Sequence, residues 1–467
     1  MLIGILHDRV ELREPPMSFA SVPAMITFAP WRAARCWIGT LGVALVLSAS
    51  SPATPAAHAA APAPGAVPLM GVNIPDVEPG PLADADRMIA QAQALHATVV
   101  RTRVPWSVLQ PAAPNAIDPR SLAFMDRLVS DAASSGIRVL MFVESTPCWA
   151  SSASPAVVRA CGPGDSSEAN RWPPSQPAAY GSFAAFLARR YGSNLAAIEV
   201  WNEPDHANQH WFAGPEKAQR YAALLRAAYV AVKQANPAVP VLGGSLVGSN
   251  GEFLRALYAA GIKGYYDGLA VHYYNLTLGS VRSIHEVQLA NHDTKPLWLD
   301  EFGWTSCFPR QRIQAEQACV TTRLQALNLS DTIRTLSRVP YMAAIVDYTL
   351  NDSRSEDFGA VAVGGSRKPS FSALSRVFAS PFGRVSHVGL SLRRVSGRVL
   401  AKGSGPVGDF LQLEAFRGGV LRYRALFVLD RFNRFSIPLP RVLGTRGLSV
   451  RVWQYWQGPG GAARRTI

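Results

Sequence analysis

Two glutamates stand in short motifs at the ends of apolar, strand-like segments. Glu203 lies in the sequence WNEPD, and Glu301 lies in LWLDEFGW. Two carboxyl groups facing one glycosidic bond are the minimum chemistry for its hydrolysis, because one donates a proton to the leaving oxygen and the other attacks or activates water. The pair therefore indicates chemistry at an acetal, without a metal or a cofactor.

The two roles require different protonation states. Glu203, as the proton donor, needs a pKa raised by partial burial and by the charge of Glu301. Glu301 needs a nearby cation or hydrogen bonds, and Arg101 and Tyr274 are the candidates. A retaining mechanism also requires the two carboxyl groups to lie about 5 Å apart. The fold must therefore bring two distant segments together.

The elements that would position these acids alternate regularly. Strands are predicted at Met70–Ile74, Thr98–Val104, Ile137–Val143, Ala197–Trp201, Val239–Gly243, Gly268–His272, Leu297–Glu301 and Ala343–Tyr348. Helices are predicted at Asp84–Leu95, Ser121–Ser135, Gln176–Tyr191, Pro215–Ala235, Glu252–Ala260, Val281–Asn291, Gln311–Leu336 and Ser370–Phe378. Eight of each predict an α/β protein with a (β/α)8 TIM barrel over residues 70–379. A doubly wound open sheet also alternates, but it more often carries a glycine-rich turn after its first strand, which is absent here.

The barrel interpretation requires the two acids to lie at one end of the barrel. Catalytic groups of such barrels lie at the carboxyl ends of the strands. Glu203 follows the fourth predicted strand and Glu301 ends the seventh, so both meet this requirement.

The pattern changes after residue 380. Short runs alternate polar and apolar residues and predict a small antiparallel β-sandwich over residues 380–467. Its strands are predicted at Val385–Leu392, Arg398–Lys402, Leu411–Phe416, Leu421–Val428 and Leu448–Trp453. From residue 382 onward 15 Lys and Arg face three acidic residues, so this segment carries +12 of the net charge of +14. Such a field would attract an anionic polymer or surface, the alternative being a solvated arginine-rich face. Nucleic acid is not expected, because no binding motif is present.

The N-terminus has the pattern of an export signal. Two arginines precede an apolar run at residues 37–49, and small residues at 57–59 offer a cleavage site. Residues 1–59 are therefore predicted to be a signal segment, followed by an Ala/Pro-rich linker at 60–69. The expected location is periplasmic or extracellular, with no membrane span in the mature chain. An uncleaved anchor is the alternative.

The cysteines agree with export. Beyond the signal segment they fall into two close pairs, and we favour Cys148–Cys161 and Cys307–Cys319 over the other two pairings. No histidine accompanies either pair at ligand spacing, so a metal site is not expected there.

The glutamate motifs resemble those of the clan A retaining glycoside hydrolases. WNEP at 201–204 is similar to their acid/base motif, and DEFG at 300–303 is similar to their nucleophile motif on the seventh strand. The resemblance implies that Glu203 is the acid/base and that Glu301 is the nucleophile. It also implies that Asn202 holds the sugar 2-hydroxyl.

Further motifs extend the resemblance over residues 70–379. Arg101 and Trp106 are similar to the second-strand arginine and the tryptophan that follows it. Trp149 lies in TPCWA, which resembles the Pro-x-Trp-Ala of family 39, and His272 and Tyr274 resemble the His-x-Tyr of the sixth strand. With the trailing β domain, the chain most resembles family 39 and related bacterial exopolysaccharide endoglycosidases. One departure is the eighth strand, which ends in Asp-Tyr where many clan members have a tryptophan.

Several side chains have a structural alternative to a role at the site. The tryptophans in predicted loops could stack on sugar rings or cover the core; they are Trp106, Trp149, Trp211 and Trp304. Arg101 could form a structural ion pair, and His272 could be a core histidine. Arg103 is the competing arginine, and we expect it to point away from the barrel axis. Supporting roles are expected for Glu199, Asp205 and Asp300.

The leading hypothesis is an exported, retaining O-glycoside hydrolase that acts on a bacterial surface or extracellular polysaccharide. Endo action is favoured over exo action, because several loop aromatic residues suit a long cleft. A polysaccharide-binding or export protein without hydrolytic activity on the same barrel is the alternative. Transglycosylation would use the same residues.

Overall fold

The computed structural model describes residues 67–74, 80–208, 211–274, 277–307 and 319–467. The predicted signal segment and residues 60–66 of the predicted linker lie outside the described residues. Eight parallel strands form a closed barrel in chain order, β1 to β8. They are Leu69–Asn73, Val99–Pro105, Arg138–Glu144, Leu195–Val200, Val241–Leu246, Gly268–His272, Leu297–Phe302 and Met342–Asp347. The predicted barrel is confirmed, with every strand present and its ends within three residues of the prediction.

Eight long helices, α1 to α8, each follow one strand. They are Leu82–Ala94, Pro119–Ser134, Pro177–Tyr191, Lys217–Ala235, Glu252–Ala259, Thr277–Ala290, Thr322–Leu336 and Pro369–Ala379. Three of them begin with a proline, which suits the first helical turn. The seventh starts later than predicted because the Thr321 hydroxyl caps it by accepting from the Leu324 amide. Residues 311–318, which the prediction placed in this helix, lie outside the described residues.

The barrel interior explains where polar groups can gather. Its packed centre is formed by one side of each strand and includes Val99, Leu140, Ala197, Leu242, Ala270, Trp298 and Ala344. Side chains two residues further along a strand point to the same side. Arg101, Glu199, His272 and Asp300 occupy these next positions. The inward rows thus change from apolar to charged toward the carboxyl ends of the strands.

The same periodicity corrects the expectation for Arg103. It lies two residues after Arg101 on β2, and the two side chains therefore share the inner side of the strand. Arg103 forms ion pairs with Glu144, at the end of β3, and with Asp165 in the following loop. The expectation that it points away from the axis was wrong.

The C-terminal region contains two antiparallel sheets. Strands β9 to β15 are Gly389–Val395, Arg398–Ser404, Leu411–Arg417, Val420–Phe427, Arg434–Pro438, Leu448–Gln454 and Ala463–Thr466. One sheet has the order β13-β10-β9, and the other has the order β12-β11-β14-β15. Their facing side chains, such as Val399 and Leu413, form one apolar core. The predicted sandwich is confirmed, although β13 and β15 were missed and residues 385–388 lie before β9.

The sandwich contacts the helical ring of the barrel. The Asn433 amide donates to Asn328 on α7 at 2.7 Å, and the Leu278 amide on α6 donates to the Gly408 carbonyl at 2.9 Å. Both predicted disulfides, Cys148–Cys161 and Cys307–Cys319, are present. Among the described residues, no helix has the length and apolar character that crossing a membrane requires.

Candidate active site

Glu203 is held at the mouth of the barrel by an unusual backbone. Trp201 and Glu203 both have positive φ angles, 68° and 46°, which are costly for residues with a side chain. The segment is anchored because the Trp201 ring is buried and because Asp205 accepts hydrogen bonds from the Val247 and Gly248 amides. Local strain of this kind directs the Glu203 side chain toward the barrel axis and is common at functional sites.

Glu301 receives a hydrogen bond on each carboxylate oxygen. The Tyr274 hydroxyl donates to Oε1 at 2.5 Å, and the Arg101 guanidinium donates to Oε2 at 3.2 Å. Burial, followed by the charge of Glu301, raises the pKa of Tyr274 well above its usual value. Tyr274 therefore remains a donor, and the two contacts orient the carboxylate and compensate its charge.

The two glutamates face each other closely. One oxygen of Glu203, one oxygen of Glu301 and a ring nitrogen of His272 all lie within 4.8 Å of one another. Oxygens no more than 4.8 Å apart favour the arrangement of retaining enzymes, about 5 Å, over that of inverting enzymes, about 6.5–9.5 Å. Fourth-strand and seventh-strand acids thus converge as the sequence predicts.

His272 bridges the two acids. Its Nδ1 lies 2.9 Å from Glu203 Oε1 and 3.4 Å from Glu301 Oε2, and its Nε2 lies 3.2 Å from Arg101. A guanidinium can only donate, so Nε2 must accept and the ring proton must be on Nδ1. Burial, reinforced by the Arg101 charge, lowers the pKa of His272 and keeps the ring neutral. His272 therefore donates to Glu203 Oε1 and leaves Oε2 of Glu203 as the oxygen that can carry a proton.

Arg101 lies beneath both acids and is fully buried. Its guanidinium donates twice to Glu199, at 2.8 and 3.0 Å, and once each to Asn73 and Asn202. Burial alone would lower its pKa, but the surrounding carboxylates, Glu199 first, outweigh burial and raise it. Arg101 is thus both the predicted partner of Glu301 and the structural ion pair that was considered as an alternative.

The two buried acids beside Arg101 differ in charge. Burial would raise the pKa of Glu199, but the Arg101 guanidinium lowers it to about 2, so Glu199 is ionised. Burial and then the charge of Glu199 raise the pKa of Asp300 well above its usual value. Asp300 accepts from the Val271 amide at 3.1 Å and lies 3.3 Å from Arg101. Glu199 and Asp300 thus both contact Arg101, which also donates to Glu301, and their supporting roles stay a prediction.

Two of the tryptophans that were predicted to contact substrate are buried. Trp106 is 0% exposed, begins a short helix and packs against Trp149, Tyr180 and Phe183. Trp304 is 3% exposed. Neither ring has a face open to a ligand, so the structure does not support the prediction that they contact substrate. Both follow strands as loop residues would, but the helices beside the strands cover them.

Other aromatic side chains lie in the segments that follow β3 and β8. Trp149 is half-buried, and its indole N–H donates to the Gln110 carbonyl. Tyr348 and Phe358 pack edge-on against the Tyr274 ring at 6.5 and 5.8 Å. Tyr348 is partly exposed and stands at the position of the missing eighth-strand tryptophan.

Asn73 is a site residue that the sequence reasoning missed. Its amide donates to the carbonyls of Asp300 and Asp347 and accepts from Arg101 at 2.8 Å. It therefore joins β1, β7 and β8 next to Glu301. The signal was available, because Asn73 is a polar residue at the end of an otherwise apolar strand.

Among the residues that the structure describes, two groups of side chains have the composition of a metal site. They are Glu199, His272 and Asp300, and Glu203, His272 and Glu301. Arg101 donates to His272, Glu199 and Glu301 and lies beside Asp300, so its positive charge already occupies the space between these ligands. A metal cation there would meet strong repulsion. The donor set fits a guanidinium and does not fit a metal.

A closed parallel barrel with two facing glutamates at its carboxyl end defines the class of a clan A glycoside hydrolase, an enzyme that cleaves O-glycosidic bonds with retention. The model of the family described as cellulase (glycosyl hydrolase family 5) matches residues 63–307, which is more than half of the chain. The chain therefore belongs to glycosyl hydrolase family 5. No curated protein matches the sequence.

Solved structures share the fold at low sequence identity. A family 39 glycoside hydrolase from Bacteroides cellulosilyticus WH2 is 18% identical with a TM-score of 0.52, over 83% of this chain and 81% of that one. A β-xylosidase from Caulobacter crescentus CB15 is 15% identical with a TM-score of 0.51, over 85% and 97%. A family 39 enzyme from Xanthomonas axonopodis pv. citri is 13% identical with a TM-score of 0.50, over 88% and 96%. The predicted clan is confirmed, and the matching family model is family 5.

Proposed function

We propose that the protein hydrolyses O-glycosidic bonds of a polysaccharide, with Glu301 as the nucleophile and Glu203 as the acid/base. The observation that carries the proposal is the approach of the two carboxylates within 4.8 Å, with His272 between them. The donors that orient both acids favour hydrolysis over the non-hydrolytic alternative.

In the first step Glu301 attacks the anomeric carbon while Glu203 protonates the departing oxygen. The bond from the anomeric carbon to the leaving oxygen breaks as the bond to Glu301 forms. Tyr274 and Arg101 hold both oxygens of Glu301 and aim the carboxylate at the sugar. His272 holds Oε1 of Glu203, so that Oε2 presents the proton to the leaving group.

In the second step Glu203, now ionised, removes a proton from water, which releases the sugar from Glu301. The neutral ring of His272 can still donate to Glu203 Oε1 in this state. Asn202 lies beside Glu203 with its carbonyl held by Arg101 at 3.0 Å, which leaves its amide N–H groups for the sugar 2-hydroxyl.

Export is proposed from two observations. Residues 1–59 have the pattern of a signal segment, and the described chain contains two disulfides, which persist in oxidising compartments. We place the enzyme in the periplasm or outside the cell, on a bacterial surface or extracellular polysaccharide. The burial of Trp106 and Trp304 removes two of the loop aromatic residues that favoured endo action, so the mode of action stays a prediction.

Leaving-group dependence tests the two roles separately. Glu301→Gln should reduce turnover of every aryl glycoside by a factor on the order of 10⁴ or more, because no nucleophile remains. Glu203→Gln should lose far more activity on a poor leaving group than on an activated dinitrophenyl glycoside, which needs little protonation. Glu252→Gln on α5 is the matched control and should retain activity. Unchanged activity in Glu301→Gln would end the assignment.

A further inference from the structure

The outer surface of the four-stranded C-terminal sheet carries an unusual concentration of arginine. In this sheet Leu413, Ala415, Val450 and Val452 face the apolar core. Residues between them along each strand must point outward. We call the outward arginines of this sheet the arginine face; they are Arg422, Arg424, Arg451 and Arg464.

One row of the arginine face crosses all four strands. Arg424, Glu414, Arg451 and Arg464 occupy directly opposite positions in the adjacent strands β12, β11, β14 and β15. Glu414 is 3% exposed and accepts from both neighbours, at 2.9 Å from Arg424 and 2.6 Å from Arg451. Within the described part of the chain, neither Arg422 nor Arg464 forms an ion pair. The row therefore has three positive charges against one negative charge.

Three features describe how this excess positive charge is displayed. Arg451 and Arg464 stand directly opposite each other across β14 and β15, an arrangement of like charges that destabilises a sheet. The Arg451 guanidinium lies between the rings of Phe416 and Trp453, 4.9 and 5.0 Å from their centroids. These stacking contacts fix its plane. Arg424 keeps 60% of its side chain exposed.

We propose that the arginine face binds an acidic polysaccharide, one whose repeating units carry carboxylates. Adjacent strands are about 4.8 Å apart, so the row spreads its charges over roughly 14 Å. A linear polyanion can contact all of them at once, whereas a single small anion cannot. Guanidinium groups pair well with carboxylates, and a carbohydrate is the class of polymer on which this enzyme acts. The face would hold the enzyme on an acidic polymer independently of catalysis.

Binding of the full-length protein to polygalacturonate tests this proposal. Arg424→Gln/Arg464→Gln removes two charges from the arginine face and leaves Arg451 paired with Glu414. Arg393→Gln/Lys402→Gln removes two exposed charges from the outer side of the three-stranded sheet and is the matched control. We expect the first pair to weaken binding about tenfold or more and the control to change it by less than about twofold. Binding should also weaken with salt.

The readout is independent of the catalytic assignment. All variants should hydrolyse a small neutral aryl glycoside like the parent protein, which also shows that the barrel is folded. Equal weakening by both charge pairs would mean that net charge alone attracts the polymer, and it would overturn the proposal. No weakening by the first pair would overturn it as well. Binding to vesicles of anionic lipid without binding to polygalacturonate would reassign the face to a membrane surface.

Discussion

Arg101 at the centre of the barrel and Arg451 on the C-terminal sheet are both paired with a glutamate, but their surroundings differ. Arg101 is 1% exposed, and its guanidinium donates to Glu199, Asn73, Glu301 and Asn202. The side chain of Arg451 is 29% exposed and stands opposite another arginine. A buried charge needs a complete set of partners, whereas a surface charge is solvated and can remain in excess.

The difference in surroundings reflects two roles: Arg101 holds the site together, whereas Arg451 belongs to a surface that would bind a polymer. In the barrel each group fixes the position or the charge of the next, from Glu199 through Arg101 to Glu301, so the catalytic geometry depends on the whole set. On the sheet Arg424 and Arg451 share Glu414, but both side chains are partly exposed, so water can replace a lost partner. Changes in the barrel should therefore have large, cooperative effects, and changes on the sheet should have small ones.

Replacing one arginine in each region tests this contrast most strongly. Arg101→Met leaves Glu199 and Glu301 without their cation, and it should destabilise the fold by about 3–5 kcal/mol and abolish turnover. Arg424→Met on the sheet should cost less than about 1 kcal/mol and leave turnover intact. Urea denaturation and activity assays of both variants provide the measurement. Similar costs for the two variants would break the comparison.

Asp409 offers a further contrast, because it is a buried acid that forms no ion pair with the residues that the structure describes. It is 2% exposed, and burial raises its pKa to about 7, opposed by the Phe410 amide and by Arg282. The folded state therefore binds a proton more tightly than the unfolded state. Its stabilising contribution is complete below the unfolded pKa and is lost as the pH rises through about 7.

Asp409→Asn should remove this pH dependence. The stability of the variant relative to the parent should rise by a few kcal/mol between about pH 5 and about pH 8. Asp430→Asn, an exposed acid in the same sandwich, is the control and should show no such trend. Thermal unfolding across this pH range is the measurement, and parallel curves for Asp409→Asn and its parent would contradict the interpretation.

Two buried tyrosine–carboxylate hydrogen bonds provide the smallest expected effect. Tyr274→Phe removes the donor to Glu301 and should lower kcat about tenfold or more, since hydrogen bonds to charged groups contribute about 1.5–3 kcal/mol. Tyr266→Phe removes a similar bond to Asp293, at 2.6 Å and away from the site. It should lower stability but leave kcat unchanged. A loss of kcat in both variants would mean that Tyr274 acts only through the fold.

The barrel was readable from sequence because its signals are local. Alternating apolar strands and amphipathic helices, and the motifs around Glu203 and Glu301, each depend on neighbouring residues. The same holds for the paired cysteines, whose short separations limit the choice of disulfides. These features can be recognised without knowledge of tertiary contacts.

The error for Arg103 came from a misapplied strand periodicity, whereas the other errors came from long-range packing and from short strands. Whether Trp106 is covered depends on Phe183 on α3, which lies far away in sequence. Asn73 joins β1 to β7 and β8, a relation that only barrel closure creates. In the sandwich, β15 consists of four residues with two arginines, so it has no apolar alternation to reveal it.

The central claim is that Glu301 forms a covalent bond to the sugar while Glu203 transfers protons. It is tested most directly by inactivating the enzyme with an activated 2-deoxy-2-fluoro glycoside and locating the added sugar by peptide mass spectrometry. We predict one sugar per chain, attached to Glu301. A sugar on any other residue, including Glu203, from a glycoside that the enzyme turns over would contradict it.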